Sequence, residues 1–237
     1  MNNQESSKYH HFAQLLLTIF TLMASFSALA QNNALACGDL KTHYGPFDYR
    51  TDRDKLEIVE QYHFTPEVEA LIRGRSSAKL GEDLAYTLSA FPNHHRALMS
   101  VMRYGQKLKT PQPEDIPYSV ECYFLRALRF RPDDTVARMI YATFLSTNGR
   151  SAEALRELAQ VGKMAGDNSF TYYNLGLIYL DMKEYEKALT QAHKAMALGF
   201  NRTGLRDKLM GAGKWREPEK SPTPAAGSAG GAPSTAK

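Results

Sequence analysis

The side chains able to do chemistry in this 237-residue chain are few and scattered. His94-His95 is the densest histidine pair, and His43, His63, Glu82 and Asp83 could complete a metal shell around it. Adjacent residues on a helix point about 100° apart, so the pair lacks the i, i+4 spacing that lets two imidazoles share an ion. His94, directly after Pro92-Asn93, reads instead as a helix cap or a packed ring, and no metal or other cofactor is expected. Glu82-Asp83 reads as a solvated acidic face. The chain has no Gly-x-Ser-x-Gly elbow, phosphate-cradling glycine loop or paired zinc motif, so nothing converges on catalysis. Arg126, Arg129 and Arg131, with Arg138 and Arg156, form a basic patch that reads first as paired surface charge and, as the alternative, as a patch able to steer an acidic partner or lipid headgroups. Cys37 and Cys122 are an even pair. They suggest a disulfide in an oxidising compartment, against the alternative of a buried, inert thiol at Cys122. A net charge of +4 and an apolar fraction of 43% fit a packed domain, with no basic stripe of the kind that binds nucleic acid.

The elements that must carry these residues are helices. Thr65-Pro66-Glu67 has the cap, the first-position proline and the acids of a helix start; Val68, Leu71 and Ile72 give it an apolar face, and Gly74 stops it. Further helices are predicted over Lys79–Phe91, His94–Leu108, Tyr118–Phe130, Thr135–Thr147, Ser151–Met164 and Thr203–Met210. A pair between Ser169 and Leu198 breaks at Asp181–Glu184. Pro111, Pro113 and Pro117 make the stretch after Lys109 a loop. Before Thr65 the chain is irregular and aromatic (Tyr44, Phe47, Tyr49, Tyr62, Phe64). These rings are expected against the helical body or inside its groove, with Asp52–Gln61 open between helix and strand.

A shift of 34 residues lays Tyr141 on Leu175, Ala142 on Gly176, Leu145 on Tyr179, Ala154 on Ala188 and Leu158 on Ala192. With Tyr172-x-x-Leu175-Gly176-x-x-Tyr179 followed by Tyr185-x-x-Ala188 and Ala195, the chain resembles the tetratricopeptide repeat family. Ala192 and Phe200 depart from that pattern, which has a bulky aromatic and a closing proline there. The resemblance implies an all-α fold: a right-handed superhelical array of helix–turn–helix hairpins with a C-terminal capping helix. The repeats would be 65–94 (degenerate), 95–134 (interrupted by the proline loop), 135–168 and 169–202, with 203–216 as the cap. It also implies a concave groove, whose partner-binding candidates by repeat offset are Arg96, Met99 and Arg103, then Met139 and Thr143, then Tyr173, Asn174 and Leu177. Ile140 stands where Asn174 has its repeat equivalent, and the family's accompanying lysines are missing, so a carboxylate clamp is not expected.

At the N-terminus, Lys8 precedes a largely apolar run from Phe12 to Leu29 that closes in Ala28-Leu29-Ala30. This reads as a secretory signal peptide (1–30), cleaved near Ala30 or, through Ala34-Leu35-Ala36, near Ala36. Cleavage is favoured over an uncleaved membrane anchor, and a plain leader over lipid attachment at Cys37; no later run is long enough to span a membrane. Residues 31–64 are then an aromatic-rich arm, and 217–237 a low-complexity tail expected to be disordered. Together these features predict a periplasmic or secreted, non-enzymatic scaffold that binds a peptide or protein partner of the cell envelope through the array's concave face. The alternative is an enzyme or enzyme subunit with its site between the aromatic arm and His63, His94 and His95.

Overall fold

The computed structural model describes residues 37–218. The leader, its cleavage positions and the tail from residue 219 lie outside them. Among the described residues all regular structure is helical: α1 Arg53–His63, α2 Pro66–Glu69, α3 Leu80–Ala90, α4 His95–Leu108, α5 Val120–Phe130, α6 Thr135–Thr147, α7 Ser151–Met164, α8 Ser169–Asp181, α9 Tyr185–Ala197 and α10 Gly204–Gly211. None of them is long and apolar enough to cross a membrane.

Helices α6 and α7 fold back on each other as one hairpin, and α8 and α9 as a second. α4, α6, α8 and α10 lie side by side, each packed on the next, while α3 sits between α1 and α4. A single hydrophobic cluster runs through the stack from Phe64 and Val68 to Leu205 and Leu209. Neither hairpin could bury its apolar faces alone; stacking supplies the missing neighbours. Small residues permit the approach. Gly176 on α8 faces Leu205 of α10 so closely that a Cβ there would overlap Leu205 Cδ2.

The turns leading into α4, α6 and α8 are built alike. In each, the amide of the cap residue donates to a carbonyl three residues back: His94 to Phe91 (3.0 Å), Asp134 to Arg131 (3.1 Å) and Asn168 to Ala165 (3.0 Å). The cap side chain then accepts from the first turn of the new helix. His94 Nδ1 takes Ala97 N–H, Asp134 Oδ1 takes those of Val136 and Ala137, and Asn168 Oδ1 takes Thr171 N–H. From 134 to 168 is 34 residues and from 94 to 134 is 40; the proline loop after Lys109 absorbs the surplus.

The first helices differ from the sequence expectation. The one starting at Pro66 ends at Glu69 rather than Gly74, and Leu71 turns left-handed (φ 59°). Its carbonyl is claimed by Lys107 Nζ at 2.8 Å, and Asp83 Oδ2 gathers the amides of Arg75, Ser76 and Ser77. Tertiary bonds override helix propensity here, and Ile72 is left 71% exposed instead of on an apolar face. Of Asp52–Gln61, all but the cap residue Asp52 resolves as helix, within α1.

Residues 37–52 form no helix but cross the body as a belt. Cys37 is disulfide-bonded to Cys122 on α5. Arg126, expected on a surface patch, is only 3% exposed; its Nη1 donates to the carbonyls of Cys37 (2.9 Å) and Asp39 (2.6 Å). Arg129 donates to the Gly38 carbonyl. Further on, Tyr44, Phe47 and Tyr49 pack on Leu56, Val59, Ala90 and Phe91, and Phe47 N–H bonds to Ala90 O at 2.8 Å.

Candidate functional site

The densest polar grouping lies where this belt crosses the turns before α4 and α6. Asn93 is fully buried and spends its whole amide there. Its Nδ2 donates to Asp48 Oδ1 (2.7 Å) and Asp134 Oδ2 (2.8 Å), and its Oδ1 accepts from Tyr49 N–H (3.0 Å). Arg50 pairs with Asp48 and Asp133, and Arg131 with Asp48. Burial would raise the Asp48 pKa, but the hydrogen bonds from Arg50 and Asn93 outweigh it and hold the group well below the carboxylate range. Asp134 behaves in the same way: burial opposes ionisation, and the bond from His95 Nε2 (2.9 Å) prevails.

Of the histidines proposed as chemistry, His63, His94 and His95 each have a carboxylate partner. His63 Nδ1 lies 2.8 Å from Asp83 Oδ1, His94 Nε2 3.0 Å from Glu60 Oε1, and His95 Nε2 beside Asp134. Tyr49 packs its ring on both His94 (4.2 Å) and His95 (5.0 Å). Because His94 Nδ1 accepts the Ala97 amide, its proton sits on Nε2 and points at Glu60. Burial lowers its pKa, against the pull of Glu60, so neutral imidazole is the native form. His94 and His95 thus share one ring and bond to separate acids, an arrangement that ties elements together. Among the described residues no grouping of three or more His, Cys, Asp or Glu side chains is placed to hold a metal ion.

The groove candidates divide into spent and unspent positions. On α4, Arg96, Ser100, Arg103 and Lys107 lie along one stripe, and all four grip the chain itself. Arg96 forks onto the Glu69 carboxylate and also reaches Glu60 Oε1 (3.2 Å). Ser100 Oγ and Arg103 Nη2 both donate to Glu69 O, and Lys107 takes Leu71 O. Segment 60–71 therefore lies along the face where a partner was expected; Arg96, Met99 and Arg103 all stay exposed, but both arginines are engaged with that segment and Met99 alone of the three candidates is not. Met139 of α6 lies in the core. Thr143 bonds back to Met139 O and stays partly exposed. On α8, Tyr173 leans on Phe200 (4.5 Å between rings), Leu177 packs partly on the core, and Asn174 Nδ2 bonds to Phe170 O (2.9 Å).

No family model matches this chain, and no curated protein matches it.

Sequence reasoning missed Phe170. It precedes Asn174 by four residues and Leu177 by seven, so all three share one stripe, and it is 53% exposed. Thirty-four residues earlier the same register on α6 carries Val136, Ile140 and Thr143, all partly exposed. Since α6 packs on α8, the two stripes lie in the same register on neighbouring helices, mostly apolar with Thr143 and Asn174 as their polar points. Glu60 and Glu69 were missed as well. Their partners on α4 lie more than 25 residues away, and nothing in local periodicity links them.

Proposed function

We propose that this chain is a tetratricopeptide-type interaction module that works outside the cytoplasm and binds a peptide or protein of the cell envelope along α6 and α8. The observation that carries the reading is the paired stripe in identical register: Val136, Ile140 and Thr143 on one helix, Phe170, Asn174 and Leu177 on the next. These side chains remain partly exposed, whereas the equivalent stripe on α4 is already gripping segment 60–71. An extended peptide laid across both helices would meet apolar anchors flanked by a hydroxyl and an amide, the mixture that peptide grooves use. The disulfide supports the compartment, since such bonds persist where thiols are oxidised. Right-handed stacking and capping by α10 belong to the same proposal.

Photo-crosslinking residues placed at Thr143 and at Asn174 test the site, with Lys163 on α7 as the control. A common adduct at the first two positions and none at the control is expected in cell-envelope extracts. No reproducible adduct, or equal labelling at Lys163, would sink the assignment.

A further inference from the structure

A second concave feature lies on elements the groove does not use. Tyr44 of the belt, Ile58, Val59, Tyr62 and His63 of α1, and Tyr86 of α3 line an open pocket of about 250 Å³. Ile58, Tyr62 and Tyr86 are about half exposed, well above what buried core rings show. Besides the tyrosine hydroxyls of its walls, the pocket has in His63 a polar group whose orientation is fixed by partners. Asp83 is buried, and its Oδ2 is saturated by the amides of Arg75, Ser76 and Ser77, so its Oδ1 can only accept, and it faces His63 Nδ1. The proton of the neutral imidazole is thereby held on Nδ1. The ring is pinned a second time by stacking on Tyr86, with centroids 3.8 Å apart and planes 25° from parallel. With Nδ1 committed to Asp83, Nε2 is the ring nitrogen left to accept from a molecule held in the pocket that His63 lines.

Size and chemistry select the occupant. The volume lies below the roughly 300–1,000 Å³ of sites for drug-sized ligands. Three half-exposed large side chains offer on the order of 300 Å², far short of the roughly 800 Å² per partner of a stable protein interface. A second copy of the chain is therefore a poor fit, and one side chain is a good one. Aromatic and aliphatic walls want an apolar body, and a fixed lone pair wants a donor on its edge. We propose that this pocket takes a single aromatic side chain bearing an N–H or O–H, a Trp or Tyr presented by a peptide, with His63 Nε2 accepting its proton. The site shares no residue with the α6–α8 strip and does not depend on that reading.

The test uses the whole chain and small probes, followed by nitrogen and carbon NMR of the histidine ring. N-acetyl-tryptophanamide is expected to bind saturably and to shift the His63 Nε2 resonance. Its N1-methylated analogue, which fills the same space without a donor, should bind about tenfold more weakly. Tyr86→Ala should weaken both probes by tenfold or more. His63→Phe, which keeps a ring against Tyr86, should abolish the discrimination between them. Ile58→Lys obstructs the pocket without touching the His63–Tyr86 stack and should mimic Tyr86→Ala; circular dichroism and Tm confirm that each variant folds. Absence of saturable binding, equal affinity for the two probes, or binding undiminished in both Tyr86→Ala and Ile58→Lys would overturn the proposal.

Discussion

Reducing the Cys37–Cys122 bond should lower the melting temperature by roughly 10–15 °C. The bond joins residues 85 apart in sequence, and the loop it closes contains α1 to α4, close to half of the described fold. In the chain-entropy account, closing a loop of that length removes about 4.5 kcal/mol of conformational freedom from the unfolded chain. A domain of this size loses about 2–4 °C of Tm per kcal/mol. The native side should change little. After reduction Arg126 still holds the carbonyls of Cys37 and Asp39, and Phe47 and Asp48 still anchor the belt further along. The effect therefore belongs mainly to the unfolded state, and Cys122→Ser should reproduce it without a reductant. Thermal unfolding followed by far-ultraviolet circular dichroism, on oxidised, reduced and Cys122→Ser protein, measures it directly. A fall under about 3 °C in both perturbed samples would refute the loop argument. Two free thiols in the oxidised sample by mass spectrometry would remove its premise.

Two further outcomes follow from the belt junction. Asn93→Ala should cost about 2–4 kcal/mol, because it strips a bond from each of two buried carboxylates and from the Tyr49 amide; Asn93→Asp, similar in size, should cost more by placing a third acid against Asp48 and Asp134, and urea unfolding that ranks the two variants the other way would contradict this account. Stability should also fall in two stages on acidification: the His94 pKa is depressed by burial, so its contribution is complete above about 6.5 and drains below that value at up to about 1.4 kcal/mol per pH unit, while the depressed acids Glu60, Asp48 and Asp134 hold theirs until below about 4. In Tm-against-pH curves His94→Asn keeps a cap acceptor and should remove the first stage, together with the Glu60 share of the second, which rests on the His94 bond; an unchanged slope between pH 6.5 and 5 would assign the first stage elsewhere.

The helices from α6 onward were legible because their information is local. Apolar residues recur at helical spacing, and Asp134 and Asn168 mark the starts by a bond to an amide two or three residues away. The same held for His94, whose position after Pro92-Asn93 favoured a cap over a metal ligand. Residues 37–79 were harder because their conformations are decided at a distance. Leu71 is left-handed with its carbonyl held by Lys107, and the turn after it is gathered by Asp83. Arg126 reads as surface charge in a linear sequence and is buried because it grips backbone 87 and 89 residues away. The groove suffered most: repeat offset places Arg96 and Arg103 correctly on one stripe of α4, but only the tertiary structure discloses that Glu69 already occupies it.

The belt also bears on the order in which the molecule is put together. Residues 37–52 leave the ribosome early, yet their partners are Asn93, Cys122, Arg126, Arg131 and Asp133. Some eighty residues must follow before the last of these contacts can exist. The α6–α7 and α8–α9 hairpins need only neighbours a few tens of residues apart and can close as soon as they are made. The part synthesised ahead of its partners is therefore among the last to lock, and until it does, Leu56, Val59, Ala90 and Phe91 lack the aromatic cover of Tyr44, Phe47 and Tyr49. A chaperone guarding this nascent chain would find an apolar target on α1 and the end of α3.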